Sequence, residues 1–375
     1  MGEPFNVEGY RRLARRRLPR MVFDYLEGGA DDETGLGHNH AAIQGSRLAP
    51  HRLVDVSKRD LSTTLFGRQV SMPLVIAPTG LNGIFRHEGD LKLARAAEQA
   101  GIPFALSTAS NMSIEEIARR SGGEHWFQLY VMQRDLADAF TRRAWDCGYR
   151  TLVLTTDVAV NGNRERDLRN HFGVPARYTP RTLLDGATHP FWSIDFLLHG
   201  VPQLANFVSA QANDVNAQAA LMSRQMDGSF DWDALAQLRE GWRGNLIVKG
   251  ILRPEDAQKC ATLGADGIIL SNHGGRQLDG AIAPIECLPA VRAATNLPVL
   301  VDSGFRRGED IVKALCLGAS AILIGRATLY GLAARDERGV TAVLDLLRAE
   351  MDRTLALIGR ASIADLKPDD LWSPH

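Results

Sequence analysis

Eight short apolar and β-branched runs punctuate this chain, at 74–80, 102–108, 125–131, 151–157, 245–251, 266–273, 298–304 and 321–326. Runs of this length without polar alternation suit parallel strands buried on both faces. The segments between them, such as 88–100, 113–121 and 308–317, carry apolar residues at helical spacing. Eight βα units close most naturally on themselves, so the repeat predicts an α/β fold: a single TIM (β/α)8 barrel domain with its core at about 74–345. Two parts of the 375 residues lie outside the repeat. Residues 7–26 read as an amphipathic helix ending at Gly28 and Gly29, with Arg11, Arg12, Arg15 and Arg16 on its wet side. Residues 158–244 read as an insertion after the fourth strand, far beyond an ordinary βα loop, and call for a lid or a docking element.

Composition removes several classes of function. A formal net charge of -1 with 23% charged residues gives no field that would gather nucleic acid. The cysteines, Cys147, Cys260, Cys287 and Cys316, are widely spaced, with neither a CxxC pair nor metal-ligand spacing. Reduced thiols in the cytoplasm and no metal site are therefore expected. The arginine-rich residues 1–20 lack the apolar centre of an export signal. No apolar run approaches the roughly 20 residues that cross a bilayer, which leaves a surface-lying segment open.

Nearly every predicted strand ends in polar residues or glycine: Thr79 and Gly80, Ser107 and Thr108, Gln128 and Tyr130, Thr155 and Asp157, Lys249, Ser271 and His273, Asp302 and Gly304, Gly325 and Arg326. Any one of these could be polar only because loops are wet, but in a barrel all eight ends meet at one rim, where active sites sit. The sixth end continues as SNHGGRQLDG at 271–280, with His273 and Arg276 three positions apart on a glycine-relieved loop. Histidine suits proton abstraction near neutrality, and an arginine fork matches a carboxylate. Arg164, after the fourth strand, opens onto the same rim, unless it only pairs with Glu165 or Asp167. The last two strand ends, with Arg306 and Arg326, suit a phosphate. Lys249 could steady negative charge on a cofactor ring; its alternatives are a covalent amine or a structural ion pair.

Residues 271–280 resemble the active-site signature of the FMN-dependent 2-hydroxy acid dehydrogenases and oxidases. The likeness runs from Tyr25 through Pro78-Thr79-Gly80, Gln128-Leu129-Tyr130, Asp157 and Arg164 to Gly325-Arg326. It implies FMN as cofactor and oxidation of a 2-hydroxy acid to the 2-keto acid. It also implies roles: His273 as base, Arg164 and Arg276 on the substrate carboxylate, Tyr25 and Tyr130 on carboxylate or hydroxyl. FMN would be held by Pro78, Thr79, Gly80, Ser107, Gln128, Thr155, Lys249, Ser271, Asp302, Gly304, Arg306, Gly325 and Arg326. Asp279 is the expected partner orienting His273, with Asp157 close by in family members. Segments 77–83 and 107–113 look most like those of bacterial members acting on (S)-mandelate. Where short-chain members usually have alanine, Gly80 would make room for a phenyl ring. The aromatic stretch 189–202 suits shallow insertion at a membrane, internal packing or an oligomer contact; the resemblance implies docking on the cytoplasmic face of the inner membrane through about 177–215, electron delivery to a membrane quinone, and a homotetramer. The rivals are an oxygen-using oxidase of 4-hydroxymandelate, lactate or glycolate, a phosphate-binding aldolase or isomerase using Lys249, and a flavin-binding or membrane-docking module without catalysis.

Overall fold

A short antiparallel hairpin, β1 (Thr63–Leu65) and β2 (Arg68–Val70), precedes a closed barrel of eight parallel strands in the computed structural model, which describes residues 4–172, 179–208 and 214–372. The barrel strands are β3 (Leu74–Ile76), β4 (Phe104–Ser107), β5 (His125–Tyr130), β6 (Thr151–Thr155), β7 (Asn245–Ile251), β8 (Gly267–Leu270), β9 (Val299–Val301) and β10 (Ala321–Ile324). They pair in chain order, and β10 closes the ring against β3. Each predicted run holds its strand, and in most of them the hydrogen-bonded part is shorter because the polar C-terminal residues leave the ladder as loops.

The pleat explains why the runs are apolar throughout. Leu74, Ile76, Phe104, Leu106, Leu152 and Leu154 point outward into the layer shared with the helices. Their neighbours Val75, Ala105, Trp126, Val153, Ile247, Ile269, Leu300 and Leu323 fill the barrel interior. Leu65, Phe66 and Val70 of the hairpin join that inner cluster, and Phe66 meets Trp126 edge-on at 5.6 Å. Gly267 opens β8 without a side chain because a Cβ there would lie 2.8 Å from the Phe66 ring. The hairpin, which the sequence pattern did not announce, thus plugs the N-terminal end and leaves the opposite rim for ligands.

The segment 7–26 is two helices rather than one: α1 (Val7–Arg17) and α2 (Arg20–Glu27). Pro19 is the cause, since the residue before a proline is driven out of the helical region, and Leu18 sits at φ -96, ψ 136. Arg11 is also drawn off the wet face by Glu27, 2.8 Å from its Nε. A third helix, α3 (Thr34–Gly45), was not foreseen. The helices α4 (Gly89–Ala100), α5 (Ile114–Arg120) and α6 (Arg134–Asp146) cover the first half of the barrel.

Between β6 and β7 lie α7 (Glu165–Arg169), α8 (Pro180–Ala187), α9 (Pro190–His199), α10 (Val215–Gln225) and α11 (Trp232–Gly241). The last of these, with Leu235 and Leu238 buried, is the crossover helix to β7, so only the earlier part of 158–244 is additional to the repeat. Neither α8 nor α9 buries a residue, and Leu183, Leu184, Phe191, Ile194, Leu197 and Leu198 are exposed. Immediately after them the chain is pinned: Leu204 and Phe207 enter the core, and Asn206 binds the Thr108 carbonyl, Ser110 Oγ and the Ile114 amide. Residues 177, 178 and 209–213 of the expected docking segment lie outside the described residues. The barrel is completed by α12 (Pro254–Thr262), α13 (Pro284–Ala294), α14 (Gly308–Cys316) and α15 (Arg326–Ile358), the last interrupted at Arg335 and Asp336.

Candidate active site

The loop after β8 turns sharply enough to bring His273 back over the barrel mouth. His273, Gly274 and Gly275 all have positive φ, at 57°, 66° and 72°. Glycine meets that demand freely, whereas a histidine there stores strain that the surroundings must hold. They do so with hydrogen bonds. Ser271 Oγ accepts from the His273 amide at 3.0 Å, and Ser303 Oγ accepts from the Gly274 amide at 2.9 Å. A reciprocal amide pair between Asn272 and Asn39, at 2.7 and 3.0 Å, ties the loop to α3.

His273 Nδ1 lies 3.0 Å from Asp157 Oδ1. A carboxylate on Nδ1 fixes the proton there and leaves Nε2 as the free lone pair. Burial pulls the His273 pKa below its ordinary value, with Asp157 opposing the shift. Burial would raise Asp157, but Lys249 and His273 outweigh it and hold its carboxyl at about 2. Lys249 is itself buried, bonded to Ser271 Oγ at 2.8 Å and flanked by Asp157 at 3.7 Å and Asp302 at 3.4 Å. Those carboxylates overcome burial and raise its pKa, so it remains an ammonium.

The partner expected of Asp279 is corrected here. Its carboxylate accepts from the Thr34 hydroxyl and amide, at 2.7 and 3.2 Å, and from the Gly35 amide at 2.7 Å. It therefore caps α3, whose own N-cap, Glu33, makes no side-chain capping bond. Asp279→Ala should cost about 1 kcal/mol of stability. Flavin reduction should be roughly unchanged; thermal melts beside rapid-mixing rates check both halves.

Two guanidinium groups face the same mouth. Arg276 Nη1 is anchored to the carbonyls of Tyr25 (2.9 Å) and Gly28 (2.8 Å), which leaves Nε and Nη2 for a ligand. Burial, then the nearby Arg164, lowers the Arg276 pKa to about 9, the mark of a site short of anions. Glu165 pairs with Arg169 rather than Arg164, and Arg164 Nε is buried without a partner among the described residues. Tyr25 stands between the rings of Phe172 and Phe85, centroids 4.5 and 6.2 Å away, and under Arg276. Tyr130 has its pKa raised by burial and then by Tyr25. Gln277 binds the Asp157 and Val160 carbonyls, each at 2.8 Å, and so joins the β6 and β8 loops. Phe172, Phe85, Gln277 and Ser303 support the site without having been singled out. Only Gln277 and Ser303 lay within recognised motifs.

The remaining strand ends fit a flat ring with several polar edges. Gln128 Oε1 accepts from Ser107 Oγ (3.1 Å) and the Thr108 amide (3.3 Å), yet Gln128 Nε2 has no partner among the described residues. Thr155 Oγ1 and Asp157 Oδ2 are likewise buried without a hydrogen bond. Such groups are costly unless something satisfies them, and they sit on the rim beside Lys249. An isoalloxazine, with donors and acceptors around its edge, suits this set. Pro78, Thr79 and Gly80 follow β3, with Thr79 Oγ1 bonded to Asn82 at 3.0 Å. Gly304, at φ 98°, holds a backbone conformation that side chains rarely adopt, and a Cβ there would press on the Asn39 carbonyl at 3.1 Å. Arg306 lies over Tyr330 and bonds the Phe305 carbonyl at 3.0 Å. Gly325 caps α15, and Arg326 binds the carbonyls of Leu26 (3.2 Å), Gly274 (2.8 Å) and Gly28 (2.9 Å), which leaves one N–H on each Nη for another partner. In this arrangement it clamps the N-terminal segment to the His273 loop. Gly80 has a second neighbour to consider. A methyl there would press on Ala109, 3.1 Å from its Cβ and 3.2 Å from its carbonyl.

Comparison with known proteins finds relatives along nearly the whole chain. The chain is 62% identical to (S)-mandelate dehydrogenase of Pseudomonas putida, over 98% of this chain and 93% of that protein. It is 42% identical to an L-lactate dehydrogenase of Allorhizobium ampelinum, over 96% and 97% respectively. The crystal structure of the monotopic membrane protein (S)-mandelate dehydrogenase superposes with a TM-score of 0.99 at 60% identity, covering 100% of both chains. Since residues 14–373 match the FMN-dependent dehydrogenase family as one continuous stretch that includes every strand of the barrel and the whole His273 loop, the chain belongs to that family.

Proposed function

We propose that the protein oxidises (S)-mandelate, or a closely related aromatic 2-hydroxy acid, to the 2-keto acid, here benzoylformate. The observation that carries this reading is the His273–Asp157 pair at 3.0 Å, set beside Arg164 and Arg276 at the mouth of the barrel. FMN, when bound, supplies the acceptor for the two electrons that leave the substrate. Arg276, through Nε and Nη2, and Arg164 hold the carboxylate. Tyr25 and Tyr130 bond carboxylate or hydroxyl. His273 Nε2 takes a proton from the substrate, and Asp157 steadies the imidazolium that results. Lys249 keeps a positive charge near the ring while Gln128 and Thr155 meet its edge. As a group held in its ammonium form, Lys249 is poorly placed to act as a covalent amine, which argues against an aldolase.

The aromatic substrate is supported by the 62% identity to an enzyme named for mandelate. Flavin reduction measured with both mandelate enantiomers, 4-hydroxymandelate, lactate and glycolate tests it. The (S)-enantiomer should be fastest, and a large preference for lactate or glycolate would refute the choice.

The reading includes peripheral attachment to the cytoplasmic face of the inner membrane, a quinone as electron acceptor and a homotetramer. No helix among the described residues is long and apolar enough to cross a membrane. The exposed apolar residues of α8 and α9 suit shallow insertion instead. Replacing Leu197 and Leu198 by glutamate removes about 3 kcal/mol or more of burial. Vesicle partitioning should fall on the order of a hundredfold, while flavin reduction in solution stays roughly unchanged. Gel filtration checks the tetramer.

A further inference from the structure

Away from the barrel mouth, a cavity of about 330 Å³ lies between α9 and the loop that follows β3. Its size falls in the range of small-molecule pockets, which open near 300 Å³. Its walls combine four aromatic rings with the carboxylates Glu88, Glu116 and Asp195. Trp192 and Phe196 stack at 4.9 Å between centroids and 17° between planes, and His87 stacks on His199 at 3.7 Å and 11°. The tryptophan is fixed by its Nε1, which donates to the Ile84 carbonyl at 2.7 Å. His199 Nδ1 donates to the Asp195 carbonyl at 2.8 Å, so Nε2 is left as an acceptor.

The position of the cavity is as informative as its lining. Val201 and Pro202 border it, and Val201 is exposed like the neighbouring Leu197 and Leu198. A solute that travels in lipid can therefore reach it along the apolar surface of α9. Gly83 lines its other side, three residues after Gly80 and so at most about 11 Å from it along the chain. The two are coupled by hydrogen bonds. Asn82 Nδ2 binds the Thr79 carbonyl (3.0 Å) and the fully buried Asp90 (2.7 Å). Asp90 accepts from the Asn111 amide at 2.8 Å. Asn111 in turn accepts from the Gly83 amide (2.8 Å) and donates to the Gln203 carbonyl (2.6 Å). One network thus ties the strand end assigned to the cofactor, the cavity and the membrane segment together.

We infer that this cavity is the binding site for the ring of a membrane quinone. The ring stacks against the Trp192 and Phe196 wall, one carbonyl oxygen accepts from the His87 ring N–H, His199 Nε2 accepts from the hydroxyl of the reduced ring, and the isoprenoid tail leaves past Val201 into the lipid. A flat ring, oxygens that accept when oxidised and donate when reduced, and an apolar tail match the aromatic wall, the His87 and His199 edges and the exit. This rests on the reading above that a quinone accepts the electrons.

The test uses full-length holoenzyme on vesicles with an azido-substituted short-chain benzoquinone, photolysed and mapped by peptide mass. Label should fall on the peptide spanning 190–203. Phe196→Ala and Val201→Trp, the second filling the mouth from an exposed position, should each weaken labelling and quinone-driven flavin reoxidation by about tenfold or more. Flavin reduction by substrate and reoxidation by ferricyanide should stay as in the wild type, which shows that the variants are folded. Label elsewhere, or variants that bind and react with quinone as the wild type does, would overturn the site while leaving the acceptor reading intact. Labelling displaced as readily by decanoate as by unlabelled quinone would mark a general tail-binding cleft and also overturn it. A wild type that neither takes label nor is reoxidised by quinone would overturn the acceptor reading and the site together.

Discussion

Replacing His273 by asparagine lowers flavin reduction by (S)-mandelate by at least about 10²- to 10⁴-fold, the range for loss of a general base. The cofactor stays bound, because the groups assigned to the ring, among them Gln128, Thr155 and Lys249, are untouched. The result separates a base from a residue that merely shapes the loop. Asparagine also tolerates the positive φ of 57° that His273 holds, so the loop keeps its shape and a residue that merely shaped it would leave the rate nearly unchanged. The pH profile adds a second check. Burial lowers the His273 pKa, so the neutral base persists to pH values below the ordinary histidine value of about 6.5. In the wild type, kcat/KM should hold level downward through neutrality and fall on the acid side of that value. In the asparagine variant this acid limb should vanish.

Asp157→Asn should give the next largest loss, up to about 10⁴-fold, as when the carboxylate behind a catalytic histidine becomes an amide. The amide can donate to Nδ1, which would move the ring proton to Nε2 and remove the lone pair that faces the substrate. The loss also has a predictable direction in pH. Asp157 raises the His273 pKa, so its removal lowers that pKa further, and whatever acid limb survives should move to lower pH. Lys249 would keep Asp302 at 3.4 Å and its bond to Ser271, so the flavin should still bind. Rapid-mixing rates across pH, with flavin content from absorbance, check both statements. Asp279→Ala, by contrast, should alter stability and leave the pH profile alone.

Much of this was legible in the sequence because barrels write their layout in strand order. The eight runs announced the barrel, and their polar ends announced the rim, since both follow from local pattern. What stayed hidden depends on contacts between distant segments. Asp279 lies six residues from His273 and looked like its partner, but the loop's left-handed turn points the histidine at Asp157, 116 positions earlier. The same loop leaves Asp279 over the amides of α3. The hairpin plug has strands of three residues each, too short for a periodic signal. Pro19 was visible and should have divided the first helix. Arg326 illustrates the limit most directly: nothing in the local sequence shows that its guanidinium also binds the carbonyls of Leu26, Gly28 and Gly274. The apolar stretch in 189–202 could not by itself be told from buried packing, and only its exposure in α9 distinguishes the two.

Anaerobic titration of the purified protein with (S)-mandelate tests the central claim most directly. One equivalent per bound flavin should bleach the yellow absorbance completely and yield one equivalent of benzoylformate. A protein that is colourless and takes up no added FMN, or one whose flavin colour persists under excess mandelate, would contradict the account.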